Sequence, residues 1–313
     1  MTGLADIQMG IGAASWGRSL LWHYGRTHTE HDIRAAFDVI SASPWVMIDT
    51  AELYGFGQSE SYIGQFATEQ EHHPPVATKC FPYPWRWTGT VLLDAVRSSL
   101  RRLNRAQIDL YQMHWPFPPV KIPQWMKALA QAAEEGLVRA VGVSNYSIQQ
   151  TQLAFDTLAK YGVQLASNQV KYNLLDRTIE RNGLLDLCNR LGVRIIAYSP
   201  LQLGLLTGKY TPANPPTGLR GTLYRQRLTI IQPLIQTMRD IGRAYTADGV
   251  VKTPAQVAIN WCICKGTMPI PGAKNAKQAR QNIGAIGWRL STEEVAALDN
   301  MSSKTITKLE RLR

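Results

Sequence analysis

Eight apolar runs of strand length recur along the chain, separated by stretches of helical periodicity. The runs cover residues 8–15, 46–51, 76–80, 108–114, 138–145, 165–171, 194–199 and 268–272. Helix-like periodicity fills 88–103, 123–135, 147–160 and 183–191 between them. Strands alternating with helices imply parallel pairing, because each crossover returns the chain to the same end of the sheet. Eight such units close most naturally on themselves, so the reading is an α/β chain forming a single (β/α)8 TIM barrel. Local signals agree. Ser147 precedes a periodic run, Pro254 follows Thr253 at a helix start, and Ser291-Thr292-Glu293-Glu294 resembles a capping box. No Pro/Gly/Ser-rich linker divides the 313 residues, which therefore read as one domain.

One segment breaks the rhythm. Residues 201–227 hold Gly204, Gly208, Pro212, Pro215, Pro216, Gly218 and Gly221, and read as a long loop. Following the seventh strand, it would lie at the C-terminal face of the barrel, where such folds place active and phosphate-binding sites.

Composition narrows the function classes. Hydrophobic residues make up 45% and charged residues 18%, which excludes disordered and low-complexity chains. No run approaches 18 uninterrupted apolar residues and the first nine residues lack a signal-peptide pattern, so a cytoplasmic protein without a membrane span is expected. Cys80, Cys188, Cys262 and Cys264 are too scattered for a disulfide framework, and Cys262-Ile263-Cys264 is not a metal spacing. The charge balance, 34 − 23 = +11, leaves a nucleic acid, an anionic surface or a polyanionic small ligand open. Arg97, Arg101, Arg102 and Arg105 stand at helical spacing and read as a solvated face. Arg220, Arg225 and Arg227 fall in the long loop, and Lys274, Lys277 and Arg280 form a third group. No nucleic-acid module motif is present, so nucleic acid is not expected as a partner.

Polar residues end the strands in succession. Asp49 ends the second, Lys79 the third, His114 the fourth, Ser144 and Asn145 the fifth, Gln169 the sixth and Tyr198 the seventh. Each alone has a structural reading: a satisfied histidine, a capping aspartate. A lysine, an aspartate and a histidine at one end of successive strands are hard to explain by stability. Tyr54 lies five residues after Asp49, enough for the chain to leave the strand and fold the phenol back over the mouth. A lysine ammonium beside a tyrosine favours the phenolate and lowers its pKa, and an aspartate paired to that lysine fixes it. A tyrosine so tuned serves as a general acid near neutral pH, while a nearby histidine hydrogen-bonds a carbonyl oxygen. With no activated Ser or Cys, the set suits carbonyl reduction better than hydrolysis.

At this point the chain resembles the aldo-keto reductase superfamily over essentially its whole length. The resemblance rests on Asp49-Thr50-Ala51-Glu52-Leu53-Tyr54-Gly55 with Ser59-Glu60, Ala77-Thr78-Lys79, and Asp109-Leu110-Tyr111-Gln112-Met113-His114-Trp115-Pro116. It continues through Val141-Gly142-Val143-Ser144-Asn145, Asn168-Gln169-Val170 and Tyr198-Ser199-Pro200-Leu201. Pro84-Trp85-Arg86, the segment from Asn260 to Gly266, and Pro269-Ile270-Pro271-Gly272-Ala273-Lys274 are similar to bacterial and plastid-type members, including pyridoxal reductase-like ones. The tail, with Asn282-Ile283-Gly284-Ala285-Ile286, also looks like the potassium-channel β-subunit branch.

The resemblance implies a catalytic tetrad of Asp49, Tyr54, Lys79 and His114, with Tyr54 as proton donor. It implies NADPH (NADP+) lying across the mouth without a glycine-rich fingerprint. Ser144, Asn145 and Gln169 would hold the carboxamide, Tyr198 would stack on the nicotinamide, and Ser15, Trp16 and Asp49 would flank it. Ser199, Pro200, Leu201, Leu203, Gly204, Lys209 and Arg220 would line the pyrophosphate channel. Gly272, Ala273, Lys274, Gln278, Gln281 and Asn282 would hold the 2′-phosphate end, with a helix start at Asn275 adding free N–H groups. Gln281 departs from the acidic residue many members carry there. The long apolar C-terminal loop of the mammalian branch is missing after Met301, so an open mouth is expected.

Loop aromatics furnish the substrate side: Trp22, Phe81, Tyr83, Trp85, Trp87, Trp115 and Phe117, with Tyr54 and His114 at the reacting end. They serve either as core or as a ligand wall; as a wall they favour aromatic or planar aldehydes, pyridoxal among them. The expected partner is a small carbonyl compound, and the expected state is a monomer or weak oligomer. The alternative to a reductase is an NADPH-binding redox-sensing subunit with little turnover.

Overall fold

The computed structural model describes residues 6–17, 24–216, 219–247 and 249–312. Eight strands pair in chain order, every pair parallel. They are β1 (Met9–Gly12), β2 (Val46–Asp49), β3 (Val76–Cys80), β4 (Leu110–Met113), β5 (Val141–Ser144), β6 (Leu165–Lys171), β7 (Arg194–Tyr198) and β8 (Met268–Ile270). The seam closes where Gly12 bridges Gly272 and its N–H donates to the Pro271 carbonyl at 2.9 Å. The expected barrel is what forms.

Helices surround it: α1 (Glu30–Ser41), α2 (Gln58–Ala67), α3 (Val91–Leu103), α4 (Ile122–Glu134), α5 (Ile148–Ala159), α6 (Thr178–Arg181) and α7 (Leu184–Leu191). The chain continues through α8 (Leu219–Ala244), α9 (Pro254–Cys264), α10 (Ala276–Ile283) and α11 (Thr292–Glu310). Ser147, Thr253 and Ser291 each cap a helix in a reciprocal box, which satisfies N–H groups that the first turn leaves unpaired. None of the described helices is long and apolar enough to cross a membrane.

The long loop read over 201–227 is corrected. After the 3-10 turns at Gln202–Thr207 the chain enters α8 at Leu219, taking Gly221 and Pro233 into the helix. Leu228, Ile231, Leu234, Ile235 and Met238 recur at three- and four-residue spacing and are fully buried. Helix α8 lies along α11, and that burial outweighs the poor propensity of glycine and proline. Of the arginine row, Arg97 and Arg101 are exposed as expected, while Arg102 and Arg105 are half-buried. Arg97 bonds Glu135 at 2.8 Å, Arg102 bonds Glu60 at 2.7 Å and Arg105 bonds Asp109 at 3.1 Å, so three of the four also pair with carboxylates.

Alternation along the strands decides what the barrel holds. Met47, Ala77, Leu110, Ile196, Met268 and Ile270 point inward and make an apolar floor. A Cβ on Gly10 would come within 2.6 Å of the Ile270 side chain, so the floor is full. One inward step further toward the strand ends, β2, β3 and β7 present Asp49, Lys79 and Tyr198, and two such steps along β4 bring His114. Neighbours such as Ile48, Val76, Tyr111, Val143 and Ile195 face outward into the main core beneath the helices.

Candidate active site

At the end of β3, Lys79 is wholly buried and donates from Nζ to Asp49 Oδ1 at 2.6 Å and to the Thr50 carbonyl at 2.8 Å. The other Asp49 oxygen accepts from Gln169 Nε2 at 2.8 Å. Both carboxylate oxygens are therefore committed. Burial works against the lysine charge, but Asp49 and Tyr54 more than offset it and hold the ammonium above the ordinary lysine range. Beyond Asp49 the chain turns through a 3-10 segment, Tyr54–Gly57, whose Gly55 and Gly57 take positive φ. That turn returns the phenol to the mouth, and Lys79 Nζ stands 5.4 Å from the Tyr54 ring centre.

His114 follows β4 and meets Tyr54 edge-on at 6.1 Å between ring centres. Its backbone is fixed on both sides: its N–H donates to the Cys80 carbonyl at 2.9 Å, and its carbonyl accepts from Asn145 Nδ2 at 3.2 Å. Asp49, Tyr54, Lys79 and His114 thus converge at one mouth.

The opposite rim is made of neutral donors and acceptors. Ser144 Oγ donates to the Gln169 carbonyl at 2.9 Å, and Asn145 Nδ2 donates to Ser144 Oγ at 3.1 Å. Asn145 sits at φ 63°, a conformation asparagine tolerates better than most residues. Tyr198 donates its hydroxyl to Asn145 Oδ1 at 3.1 Å, and burial keeps that phenol above the ordinary range. Past Tyr198 the backbone takes positive φ at Ser199 (53°), Gln202 (46°), Leu203 (54°) and Gly204 (92°). Such strain is characteristic of ligand clamps. Pro200 and Leu201 lie within this turn, and Lys209 follows it with its ammonium 5.4 Å from the Tyr210 ring.

The seam of the barrel supplies the rest. Trp16 is buried and donates from Nε1 to the Ala273 carbonyl at 2.8 Å, and Asn282 Nδ2 donates to the Gly272 carbonyl at 3.1 Å. Ser15 is buried beside them, its carbonyl 2.9 Å from His28 Nε2. Lys274 donates its N–H to Gln278 Oε1 at 2.8 Å, and its ammonium reaches Thr27 Oγ1 at 3.5 Å. Asn275 caps α10, as expected. Gln281 instead turns toward the cap of α9, with Nε2 3.4 Å from Thr253 Oγ1. Amide-binding groups near the tetrad, a strained backbone turn, and a cation beside a helix start together fit a dinucleotide with a terminal phosphate. Among the described residues no cluster could hold a metal ion.

A profile of the Aldo/keto reductase family matches residues 8–303. The chain belongs to the aldo/keto reductase family. Among its relatives is the chloroplastic pyridoxal reductase of Arabidopsis thaliana, 41% identical over 304 residues that cover 93% of this chain and 82% of that protein. A solved aldo/keto reductase from Klebsiella pneumoniae, holding NADP and acetate, is 28% identical with a TM-score of 0.66 and covers 94% of this chain and 91% of that one. The glycerol dehydrogenase of Gluconobacter oxydans superposes with a TM-score of 0.76 at 26% identity, covering 96% and 92% of the two chains.

Of the aldo/keto reductase's expected substrate residues, Tyr83 and Trp85 stack at 4.7 Å and Trp115 stacks on Phe117 at 5.0 Å. Trp85 and Trp87 are exposed. Trp22 and the side chain of Arg220 lie outside what is described. Two groups had no assigned role in the sequence reading. Glu52, inside the motif that carries Tyr54, accepts the Phe81 N–H at 2.6 Å and Arg86 Nη2 at 3.0 Å. Thr27 and His28 sit against Lys274 and Ser15. Their only sequence signal was proximity to motif residues, and nothing in the spacing pairs them.

Proposed function

We propose that this protein reduces aldehydes and ketones to alcohols, with Tyr54 as the general acid. The buried Lys79–Asp49 pair beside Tyr54 carries the proposal, because a fixed cation at a phenol makes it a competent acid near neutral pH. The chain is an NADP-dependent oxidoreductase, and NADPH supplies the hydride when bound. Ser144, Asn145 and Gln169 would hold its carboxamide end, with Tyr198 beside its ring. The turn Ser199–Gly204 with Lys209 would hold the pyrophosphate, and Gly272, Ala273, Lys274, Gln278 and Asn282 would hold the 2′-phosphate end. His114 orients the substrate oxygen and Tyr54 delivers its proton to that oxygen. Lys79, held by Asp49, stabilises the phenolate left behind.

Planar aldehydes, pyridoxal among them, are the proposed substrates, since the rim carries the exposed aromatics Trp85, Trp87 and Phe117. The test is NADPH oxidation by purified protein against a panel of aliphatic and aromatic aldehydes including pyridoxal, beside Tyr54→Phe. Turnover abolished in the variant with cofactor binding retained supports the assignment. Tight NADPH binding without turnover on any carbonyl would replace it with a sensor of cofactor state.

A further inference from the structure

The rim aromatics are not independent. Trp85 stacks on Tyr83 at 4.7 Å, Tyr83 meets Phe81 at 5.0 Å, and Phe81 meets His114 edge-on at 5.6 Å. With His114 against Tyr54, this makes an unbroken file of rings from an exposed tryptophan to the proposed acid. Such a file holds its geometry only if the loop bearing it is anchored, and rings on a loop this short have little core of their own.

The anchor is Arg86. Its guanidinium pairs with Glu52 and donates from Nη1 to the Phe81 carbonyl at 2.7 Å and to Cys80 Sγ at 2.9 Å. Its Cζ lies 5.1 Å from the Tyr83 ring centre. Glu52 completes the clamp through the Phe81 N–H, and its own N–H reaches the Lys79 carbonyl at 3.3 Å. Both charged side chains are largely buried, at 15% and 8% exposure, so the pair is weakly screened. Planar, forked donors that also stack beneath a ring are what guanidinium offers and ammonium does not.

We infer that Arg86 is a positioning residue that, through Glu52, Phe81 and Tyr83, fixes the aromatic file and so determines preference for ring-bearing over small aliphatic carbonyls. The inference rests on the reductase reading of the site. Tyr54 and His114 have separate supports: Lys79 beneath the phenol with the Tyr54 N–H on the Ala51 carbonyl at 3.0 Å, and for His114 the Cys80 carbonyl and Asn145 Nδ2 on either side of its backbone. Chemistry on a small carbonyl therefore does not need the clamp.

The experiment measures kcat and KM separately for benzaldehyde and propanal with the full-length wild type, Arg86→Met and Arg86→Lys, alongside NADPH affinity by tryptophan quenching. Arg86→Lys keeps a charge opposite Glu52, so it stands if Arg86→Met folds poorly. The expected result is a fall in kcat/KM for benzaldehyde of up to about 10²-fold, the scale of an ångström of misplacement, with propanal and NADPH affinity little changed. An equal loss on both aldehydes in Arg86→Lys, or no loss on either, overturns the inference while leaving the reductase reading intact. A wild type that turns over pyridoxal or another aldehyde of the panel but neither of these two overturns the inference alone, and one that turns over no carbonyl overturns both.

Discussion

The two halves of the barrel mouth are built from different materials. On β2–β4, buried charge does the positioning: Lys79 on Asp49, Arg86 on Glu52, and Arg102 on the fully buried Glu60 behind the Tyr54 turn. On β5–β7, hydroxyls, amides and a backbone turn of positive φ do it: Ser144, Asn145, Gln169, and Ser199 to Gly204. A proton donor needs a permanent local field, which a paired ion supplies and a neutral amide does not. A dinucleotide needs many weak contacts at set positions, for which neutral groups avoid a large desolvation penalty.

That contrast can be broken, and the largest effect comes first. Tyr54→Phe is expected to lower kcat by about 10²–10⁴-fold, the usual contribution of a positioned acid, with NADPH affinity unchanged. A near wild-type kcat would remove Tyr54 from its role. Lys79→Met leaves the Asp49 carboxylate buried without its cation, so unfolding in urea should show a loss of about 3–5 kcal/mol. Its counterpart on the neutral side, Ser144→Ala, should cost about 1–2 kcal/mol, the net worth of its two hydrogen bonds. Equal losses in the two variants would erase the distinction between the halves. Lys274→Ala is expected to weaken NADPH by about tenfold and leave NADH alone, since one charge-assisted contact to the phosphate is lost. Parallel loss of both cofactors would take Lys274 away from the phosphate.

The smallest effect concerns pH. Burial lowers the His28 pKa, with a partial opposing effect from the Ser15 carbonyl. The unfolded chain then binds this proton more readily than the folded one, so stability falls as pH drops below the ordinary histidine value of about 6.5. His28→Gln should flatten the melting temperature between about pH 7 and 5 relative to wild type. An unchanged slope would mean that His28 does not titrate in this window.

Much of the fold was legible, for a physical reason that also marks its limit. Residues 76–80 and 165–171 read as strands and form β3 and β6 with those bounds, because strands covered on both faces appear as nearly continuous apolar runs. The strand-end positions of Asp49, Lys79 and His114 were legible because an aspartate, a lysine and a histidine closing successive apolar runs are hard to explain by packing, and the structure brings them to one mouth with Tyr54. Helix α8 was not, since its first turns follow Pro215, Pro216 and Gly218 and its stability comes from packing on α11. Nor was the Arg86–Glu52 clamp, whose partners lie 34 residues apart with no periodic relation. Local pattern reports which residues are inside; it does not report which distant charges meet.

The seam between β1 and β8 has a consequence for how the barrel breathes. First and last strands meet through the bridge at Gly12 and Gly272, and the Trp16 indole crosses to Ala273. NADPH held as proposed, by residues that include Gly272, Ala273 and Lys274 beside Ser15 and Trp16, would span that joint and tie the two ends of the sheet together. Mass action then favours the closed ring. Amide hydrogen exchange in Met9–Gly12 and Met268–Ile270 should slow on adding NADPH more than in strands far from the joint, making local opening there a gauge of occupancy.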